Sequence, residues 1–166
     1  EDVSIRSFVN REIEQHSLIT STLKDESLDE KKIYQIYYDF SEPVRKMQGY
    51  RVLALNRGEK QGILKVHFEH NLDVMTRFVE ARFKEKNAYI QKAIQEALKK
   101  KIIPAMERRI RSELTERAED GAISLFAQNL RNLLLVSPLK GKMVLGFDPA
   151  FRTGAKLAVV DKTGKL

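Results

Sequence analysis

Asp148 is the residue whose type and position best fit chemistry on phosphate. It closes a short apolar run, Met143–Phe147, and is followed by Pro149, a glycine-bearing turn and a second apolar run, Lys156–Asp161. A carboxylate at the end of a buried strand can hold Mg²⁺ against a phosphate group, as metal-dependent phosphodiester hydrolysis requires. The alternative is that Asp148 and Pro149 only start a turn, and these residues alone leave the two interpretations level.

Clustered lysines and arginines are the second group with an evident chemistry. Residues 81–118 carry most of the chain's formal net charge of +7. Such clusters bind nucleic acid by releasing counterions from its phosphates. The plainer interpretation, which charge alone favours, is a solvated helix face with weak glutamate-to-basic pairs four residues apart. The candidate phosphate contacts in this run are Lys99, Lys100, Lys101, Arg108, Arg109 and Arg111.

The histidines do not suggest a metal site. His67 and His70 flank Glu69, but their three-residue spacing on a strand would point the two rings to opposite faces. No third ligand lies near in sequence, so we predict a pair of surface histidines without a metal. His16 is isolated. A P-loop, a dinucleotide-binding glycine pattern and a Ser–His–Asp order are all missing, so the common short enzyme signatures are absent.

Composition indicates an ordered protein and is compatible with a reducing compartment. The chain has 166 residues, of which 42% are hydrophobic and 32% charged, so it can bury a core in one domain or in one domain and part of another. It has no cysteine, which excludes disulfides and thiolate metal sites. No apolar run approaches the roughly 20 residues that cross a bilayer. We expect a soluble, intracellular protein without membrane contact. A start without Met and an end on a strand and turn predict a piece of a larger protein.

The helices that must position the basic residues lie between Asn87 and Val136. An apolar residue returns every three or four positions along this run, which is the period of one helix face. Pro104 lacks an N–H and its ring clashes with the preceding turn, so a break or kink is predicted there. Asp120–Gly121 is a second predicted interruption. The run should therefore form two or three stacked helices.

The first part of the chain is also predicted to be helical. Residues 3–16 have an amphipathic pattern, and Leu18–Leu23 should add a short turn of helix. The capping box Ser27–Glu30 should open a helix through about Tyr37. Ser41–Pro43 should start another helix, which Gly49 would end.

Residues 51–68 are ambiguous. Alternation over Ile63–Phe68 predicts a strand. Val52–Leu55 either pairs with that strand as a hairpin or forms a short buried helix, because a run this short does not reveal its period. Asn71 or Asp73 should then cap a helix through Phe83.

Several separated blocks of the sequence resemble the Tex family of bacterial transcription accessory proteins. The segment Val144–Asp161 is similar to the opening of that family's YqgF-type, RNase H-like domain, whose pattern is close to Gly-x-Asp-Pro-Gly-x-Arg-Thr-Gly-x-Lys-x-Ala-Val-Val-Asp. The residues that match are Gly146, Asp148, Pro149, Arg152, Thr153, Gly154, Lys156, Ala158, Val159, Val160 and Asp161. Further matching blocks are Tyr38–Pro43, Arg51–Glu59, Glu116–Glu119 and Ala127–Leu135.

Ala150 departs from the family pattern, which usually has glycine at that position. A turn that needed a positive φ there would be strained by about 1 kcal/mol with alanine. The departure bears on the geometry of the loop and leaves the resemblance intact over nearly all of residues 33–166.

Together the patterns and the resemblance predict a mainly α fold. Residues 1–137 would form a helical core region, a multi-helix array with a small β-hairpin or strand near 51–68. Residues 143–166 would form the first two strands of an incomplete YqgF-like, RNase H-like domain.

The resemblance implies a cytoplasmic scaffold that binds RNA or DNA and acts in transcription with the transcription machinery. Arg152 joins the candidate nucleic-acid contacts. No cofactor or metal is expected in this chain, because Mg²⁺ would bind only in the complete domain. One carboxylate cannot perform two-metal hydrolysis, so no catalytic residue and no enzymatic activity are expected, and Asp148 would be a vestigial acidic position.

Two other functions stay open at this point. One is an Mg²⁺-dependent RNase H-like nuclease, incomplete here, with Asp148 as its first ligand. The other is a helical protein-interaction module whose charges only keep it in solution. An isolated two-stranded hairpin is marginal in water, so residues 143–166 should either pack on the helix at Ile123–Leu134 or pair with a second molecule as a dimer.

Overall fold

Five α-helices and five strands occur in the residues that the computed structural model describes, which are 3–83, 87–137, 139–152 and 154–166. The helices are α1 (Val3–His16), α2 (Gly49–Lys60), α3 (Leu72–Glu80), α4 (Ala88–Ala97) and α5 (Ile103–Leu134). The strands are β1 (Leu18–Leu23), β2 (Asp39–Pro43), β3 (Leu64–Glu69), β4 (Val144–Ala150) and β5 (Gly154–Val160). The predicted mainly α fold, with a strand near 51–68 and two C-terminal strands, is confirmed. The chain forms two units, residues 1–125 and 126–166.

A three-stranded antiparallel sheet lies in the first unit, where part of the chain was predicted to be helical. Its strand order is β2–β1–β3, and Leu18 of β1 pairs with Pro43 on one side and with Glu69 on the other. The predicted helical turn at Leu18–Leu23 was therefore wrong. The segment contains the β-branched residues Ile19, Thr20 and Thr22, which favour a pleated strand once partner strands are available on both sides.

The helix predicted from the capping box Ser27–Glu30 is replaced by two separate 3₁₀ turns, at Glu26–Leu28 and Gln35–Tyr37. The first turn is capped by Asp25, whose side chain accepts a hydrogen bond from the N–H of Ser27 at 3.0 Å. Hydrogen bonds between a side chain and a nearby backbone N–H group compete with the hydrogen bonds of a helix. Here the 3₁₀ turns form in place of the predicted helix.

Asp29 organises the rest of that segment. Asp29 is only 4% exposed, and its carboxylate accepts hydrogen bonds from the N–H groups of Ile33 and Tyr34 at 2.9 and 2.8 Å and from the hydroxyl of Tyr38 at 3.0 Å. Burial acts to raise the pKa of Asp29, but the hydrogen bonds from Tyr34, Ile33 and Tyr38 outweigh it and hold the pKa below its ordinary value. The ionised carboxylate is therefore the form that stabilises the fold.

Acid should weaken the fold in a manner that depends on Asp29. Because the folded pKa lies below the unfolded value of about 3.9, Asp29 contributes stability above that pH and loses it as the pH falls through the folded pKa. Asp29→Asn should lower the free energy of unfolding at neutral pH and flatten its decline in acid. Urea unfolding over a pH series measures both effects, with the exposed Asp39→Asn as the control. Equal acid sensitivity of wild type and Asp29→Asn would contradict the prediction.

Gly49 begins a helix, whereas the sequence suggested that it ends one. Ser41–Pro43, the predicted helix start, belongs to β2, and Gly49 is the first residue of α2. A Cβ at Gly49 would lie 3.3 Å from the Cα of Ala118, so glycine lets the start of α2 approach α5 closely.

Of the two alternatives for Val52–Leu55, the helix is the one observed, because the segment lies inside α2. The strand predicted over Ile63–Phe68 is confirmed as β3.

The helix predicted after Asn71 is confirmed as α3. The Asn71 side chain accepts a hydrogen bond from the N–H of Val74, so Asn71 is the cap and Asp73 lies in the first turn. The helix ends at Glu80, a few residues before the predicted Phe83.

The core of the first unit lies where α1, the sheet and the later helices meet. Val9 and Ile13 of α1 and Met75 of α3 are fully buried. The long helical run contributes one buried line, which consists of Ile94, Leu98, Ile103, Met106, Ile110, Leu114 and Ala118. Up to Ala118 this line follows the apolar stripe that the sequence pattern predicted, whereas the continuation of the predicted stripe over Ile123–Leu134 is exposed.

The interruption predicted near Pro104 is confirmed as a π-helical turn, Leu98–Ile102, which joins α4 to α5. The N–H of Ile103 bonds to the carbonyl of Leu98, five positions back. The interruption predicted at Asp120–Gly121 was wrong, because α5 continues to Leu134. An exposed glycine inside a helix costs only about 1 kcal/mol relative to alanine, so it need not end the helix. No helix of the described residues is both long and apolar enough to cross a membrane.

The second unit contains an antiparallel hairpin of β4 and β5, as predicted. Val144 pairs with Val160, and Ala150 pairs with Gly154. The turn of the hairpin has its positive φ at Gly154, where φ is +78°. Among the described non-glycine residues, only Lys32 has a positive φ, so Ala150 does not have one. Ala150 therefore ends an ordinary strand and is not strained by the missing glycine. Thr153, which matched the family pattern, lies outside the described residues.

The hairpin does not pack on the last turns of α5 in the same unit, which was one of the two predicted arrangements. Phe147 and Leu157 of the hairpin are 62% and 64% exposed, and Phe126 and Leu134 of α5 are 68% and 74% exposed. The two strands pair with each other over their full length, which satisfies the backbone groups that face the partner strand.

Candidate nucleic-acid interface

The candidate lysines Lys99, Lys100 and Lys101 are exposed together on the π-helical turn. The residues that flank them are buried, with Leu98 0% exposed and Ile103 6% exposed. These two anchors are five positions apart, one more than a normal helical turn allows on one face. The π turn takes up the extra residue, so both anchors face the core while the lysines between them reach solvent. Turns of this kind often occur at functional sites.

Lys100 has an acidic neighbour on the same helical surface. Its Nζ lies 3.2 Å from Oε2 of Glu96, and both side chains are more than half exposed. An exposed pair of this kind contributes between nothing and about 1 kcal/mol, so a phosphate can replace Glu96 at little cost.

The candidate arginines have three different environments. Arg108 is exposed and lies two helical turns after Lys101, about 10 Å further along the same side. Arg109 donates from Nε to Glu113 at 2.8 Å, and this hydrogen bond raises the pKa of Arg109. Arg111 is half-buried and already has partners on α2, so it is the least available of the three.

The partners of Arg111 tie α5 to α2. Its Nη2 donates to Oδ1 of Asn56 at 3.1 Å and also to Glu59. Asn56 in turn donates to Thr115 at 2.8 Å. Fork-shaped guanidinium contacts to such acceptors give geometric specificity, so Arg111 positions the two helices.

The remaining candidates are placed as follows. Arg152 is exposed in the turn between β4 and β5, and Asp148 is exposed in β4 opposite Lys156. Both belong to the second unit. Lys84 and Lys86, which were counted in the basic run, lie outside the described residues.

Asp161 follows β5 and closes a turn. Its carboxylate accepts hydrogen bonds from the hydroxyl of Thr163 at 2.7 Å and from the N–H groups of Thr163 and Lys165 at 2.8 and 3.0 Å. These bonds lower the pKa of Asp161, led by the one from the Thr163 hydroxyl. Across the described ranges, no three His, Cys, Asp or Glu side chains are grouped so that they could hold a metal ion.

His70 is not a surface histidine, which corrects the prediction, whereas His67 is exposed as predicted. The His70 side chain is 10% exposed, and its Nδ1 lies 2.8 Å from Oγ of Ser17 and its Nε2 lies 2.6 Å from Oε1 of Glu107. His70 comes just after β3 ends, so the strand alternation that predicted its direction no longer applies there.

Ser17, His70 and Glu107 are the residue types of a hydrolase triad, but the serine hydroxyl of this cluster is not accessible to a substrate. Ser17 is 1% exposed, so no substrate can reach its hydroxyl. The cluster connects the segment before β1, the segment before α3 and the helix α5, which lie far apart in sequence. It therefore stabilises the fold that holds the basic surface, and its long sequence separations explain why the sequence did not reveal it.

Residues 1–126 match a family model described as Tex central region-like. The chain belongs to the Tex family. A second model, described as Tex protein YqgF-like domain, matches residues 142–166. The resemblance found in the sequence is thereby confirmed for both parts of the chain.

Relatives of this Tex-family chain occur in bacteria and animals. YdcI, an uncharacterized protein of Bacillus subtilis, is 44% identical over 172 residues, which are 100% of this chain and 24% of the relative. The transcriptional accessory protein Tex of Neisseria gonorrhoeae is 35% identical over 140 residues, 78% of this chain and 18% of the relative. The human S1 RNA-binding domain-containing protein 1 is 29% identical over 167 residues, 91% of this chain and 17% of the relative. The chain thus spans about a quarter or less of these relatives' lengths.

Proposed function

We propose that this chain is a non-enzymatic scaffold of a Tex-type transcription accessory protein and that its helices present a basic surface to RNA or DNA. The observation that carries the proposal is the π-helical turn, which exposes Lys99, Lys100 and Lys101 together while Leu98 and Ile103 hold the turn in the core. The names of two relatives, a transcriptional accessory protein and an S1 RNA-binding domain-containing protein, support the nucleic-acid role.

The surface defined by Lys99, Lys100, Lys101 and Arg108, called here the basic turn surface, is suited to phosphates. Each lysine or arginine that neutralises a phosphate releases counterions and adds about 0.9 to the dependence of log K on log salt for duplex DNA. Contacts by all of these side chains would give a slope of about −3 to −4. Arg111 adds little in this proposal, because Asn56 and Glu59 already engage it.

A binding titration over a salt series tests the proposed function. Fluorescence anisotropy with duplex DNA, duplex RNA and single-stranded RNA, at about 50 to 200 mM salt, should give affinities that fall steeply with salt and vary little with base sequence. The comparison of probes also decides between RNA and DNA. Absence of binding at the lowest salt would reject the proposal in favour of a protein-interaction module.

We further propose that this chain does not hydrolyse nucleic acid. Two-metal phosphodiester hydrolysis needs several carboxylates around the ions, and the β4–β5 hairpin contributes Asp148 within its strands. Incubation of labelled RNA and DNA with Mg²⁺ should leave both intact. Cleavage that disappears in Asp148→Asn would show that the chain is a nuclease after all.

The location and partners of the protein follow from the same proposal. We place it in the cytoplasm, with the transcription machinery as its further partner. The exposed apolar side chains Leu145, Phe147, Leu157 and Val159 of the hairpin support self-association through this segment. Sedimentation over a range of concentrations should then show a dimer, and a monomer at every concentration would contradict this.

A further inference from the structure

Tyr50, the second residue of α2, is a large aromatic side chain that the fold leaves in contact with solvent. It is 63% exposed, and Cζ of Arg51 lies 5.5 Å from the centre of its ring. The same guanidinium group lies 5.9 Å from the centre of the Phe40 ring on β2. Both distances are within the range of a cation–π interaction. Phe40, Tyr50 and Arg51 are called here the aromatic platform.

An ion pair and a buried ring hold the aromatic platform in place. Nη1 of Arg51 donates to Oε1 of Glu42 at 2.5 Å, and this hydrogen bond raises the pKa of Arg51 against the opposing effect of burial. The ring of Phe40 meets Tyr37 edge-on, with centroids 5.4 Å apart, and Tyr37 is only 5% exposed. A ligand would therefore meet groups that are already positioned, which reduces the entropy cost of binding.

Two exposed cations lie near Tyr50 along the chain. Lys46 ends the 3₁₀ turn Val44–Lys46, four residues before Tyr50. Arg57 follows Tyr50 by seven residues on α2, so the two side chains share one face of the helix, about 10 Å apart along its axis. Neither Lys46 nor Arg57 makes an ion pair with another described residue. Since Glu42 balances the charge of Arg51, these two cations are the ones available to phosphate groups.

We propose that the aromatic platform binds single-stranded nucleic acid, with a base stacked on Tyr50 and the neighbouring phosphates in contact with Lys46 and Arg57. Every base has a flat π face, so stacking on an exposed aromatic ring binds single strands with little regard to sequence. In a duplex the bases are already stacked on one another, so the platform should favour single strands. That the ligand is nucleic acid rests on the proposed function, to which this inference adds the preference for single strands.

The helix α2 connects the aromatic platform with the basic turn surface. It runs antiparallel to α5, because Gly49 approaches Ala118 at one end and Lys60 lines the same groove as Arg108 at the other. Lys60 follows Tyr50 by ten residues, which is about 15 Å along the helix. Even at the spacing of about 3.4 Å that nucleotides have in one strand of a duplex, a strand of several nucleotides covers this distance.

The test changes the protein and the ligand together. Tyr50→Ala should bind a single-stranded oligonucleotide roughly 5- to 100-fold more weakly than wild type, as measured by fluorescence anisotropy. Its affinity for a duplex of the same sequence should change by about twofold or less, because duplex bases are not free to stack on the protein. A single strand with abasic sites keeps its phosphates but cannot stack, so Tyr50→Ala and wild type should bind it equally. Tyr50→Phe keeps the ring and should bind the intact strand like wild type.

Tyr89→Ala is the matched control, since Tyr89 is 87% exposed on α4 and takes part in no cation–π contact among the described residues. It should change the affinity for the intact strand by about twofold or less. The inference is overturned when Tyr50→Ala binds the intact strand like wild type or like Tyr89→Ala, or when it weakens the intact and abasic strands equally. Circular dichroism and thermal unfolding should show all these variants folded, because both tyrosines are mostly in solvent.

The salt dependence tests the phosphate contacts separately. Lys46→Gln/Arg57→Gln should flatten the salt slope for the single strand by about 1.4, since each contact to a single strand contributes about 0.7. Tyr50→Ala should keep the wild-type slope, because the ring carries no charge. The control Lys24→Gln/Arg77→Gln removes an exposed lysine and an exposed arginine from other segments and should also keep it. An equal slope in both double variants would overturn the contacts of Lys46 and Arg57.

The failure of this inference is distinguishable from that of the proposed function. Wild-type protein that binds neither single strands nor duplexes at the lowest salt would reject the proposed function itself. Loss of binding on substitution of Lys99, Lys100 and Lys101, with normal single-strand binding by Tyr50→Ala, would remove the aromatic platform and keep the function.

Discussion

Replacing Lys99, Lys100 and Lys101 together with glutamine is expected to weaken duplex binding by roughly 10²-fold at about 0.1 M salt. The lysines are exposed on one turn, so each can neutralise a phosphate. The salt slope should flatten by about 2–3, because each lost contact removes close to one unit. The loss should be the same for every base sequence, since phosphates carry no sequence information. Anisotropy titrations of wild type and variant at several salt concentrations measure both quantities.

The control for this experiment is Lys24→Gln/Lys31→Gln/Lys65→Gln. These lysines are also exposed, and the variant has the same net charge, but they lie away from the basic turn surface in sequence and on other segments. A small uniform loss, about twofold to threefold, is expected from the weaker long-range field. If both triple variants kept the wild-type slope, the lysines of the π turn would be no more than a solvated helix face.

Leu98→Ala should lower the free energy of unfolding by about 2–5 kcal/mol. Leu98 has no exposed area and is the residue from which the π turn starts. Truncation leaves a cavity that the surrounding helices can fill only in part. Urea unfolding monitored by circular dichroism measures the change. Where the variant is still folded, it should also bind nucleic acid more weakly than wild type although no charge has changed, because the lysine turn has lost its anchor.

Ile102→Ala is the matched control for Leu98→Ala. It removes an aliphatic side chain from the same π turn, but Ile102 is only partly buried. Its cost should be nearer to about 1 kcal/mol, because part of the deleted surface is already in water. Equal costs for the two substitutions would mean that burial of Leu98 does not hold the turn.

Sequence alone predicted the elements that have a long repeating pattern or that begin or end at a recognisable capping or helix-breaking residue. The repeating apolar residues predicted the buried line of α4 and α5, and Pro104 marked the interruption between them. Asn71 capped α3 as its type suggested. The lysines could also be proposed as a site from sequence alone, because consecutive residues stay together in any fold.

For segments with a short pattern, contacts made in the folded protein determined the secondary structure. Leu18–Leu23 became a strand because β2 and β3, which follow much later in the chain, offer hydrogen bonds on both sides. The helix predicted from the capping box is absent, because Asp25 accepts a hydrogen bond from the N–H of Ser27 and Asp29 accepts hydrogen bonds from Ile33, Tyr34 and Tyr38. Gly121 did not end α5, because the free-energy cost of one glycine is small compared with the stability of a helix that continues on both sides of it.

The proposed nucleic-acid surface divides in the same way. The sequence suggested Lys99, Lys100 and Lys101 as contacts. The structure adds that Leu98 and Ile103 are both buried and that the π turn between them exposes the lysines to solvent. The cluster of His70 has no sequence signature, because its partners Ser17 and Glu107 are distant along the chain. Contacts between distant segments depend on the packing of the whole core, which no local pattern encodes.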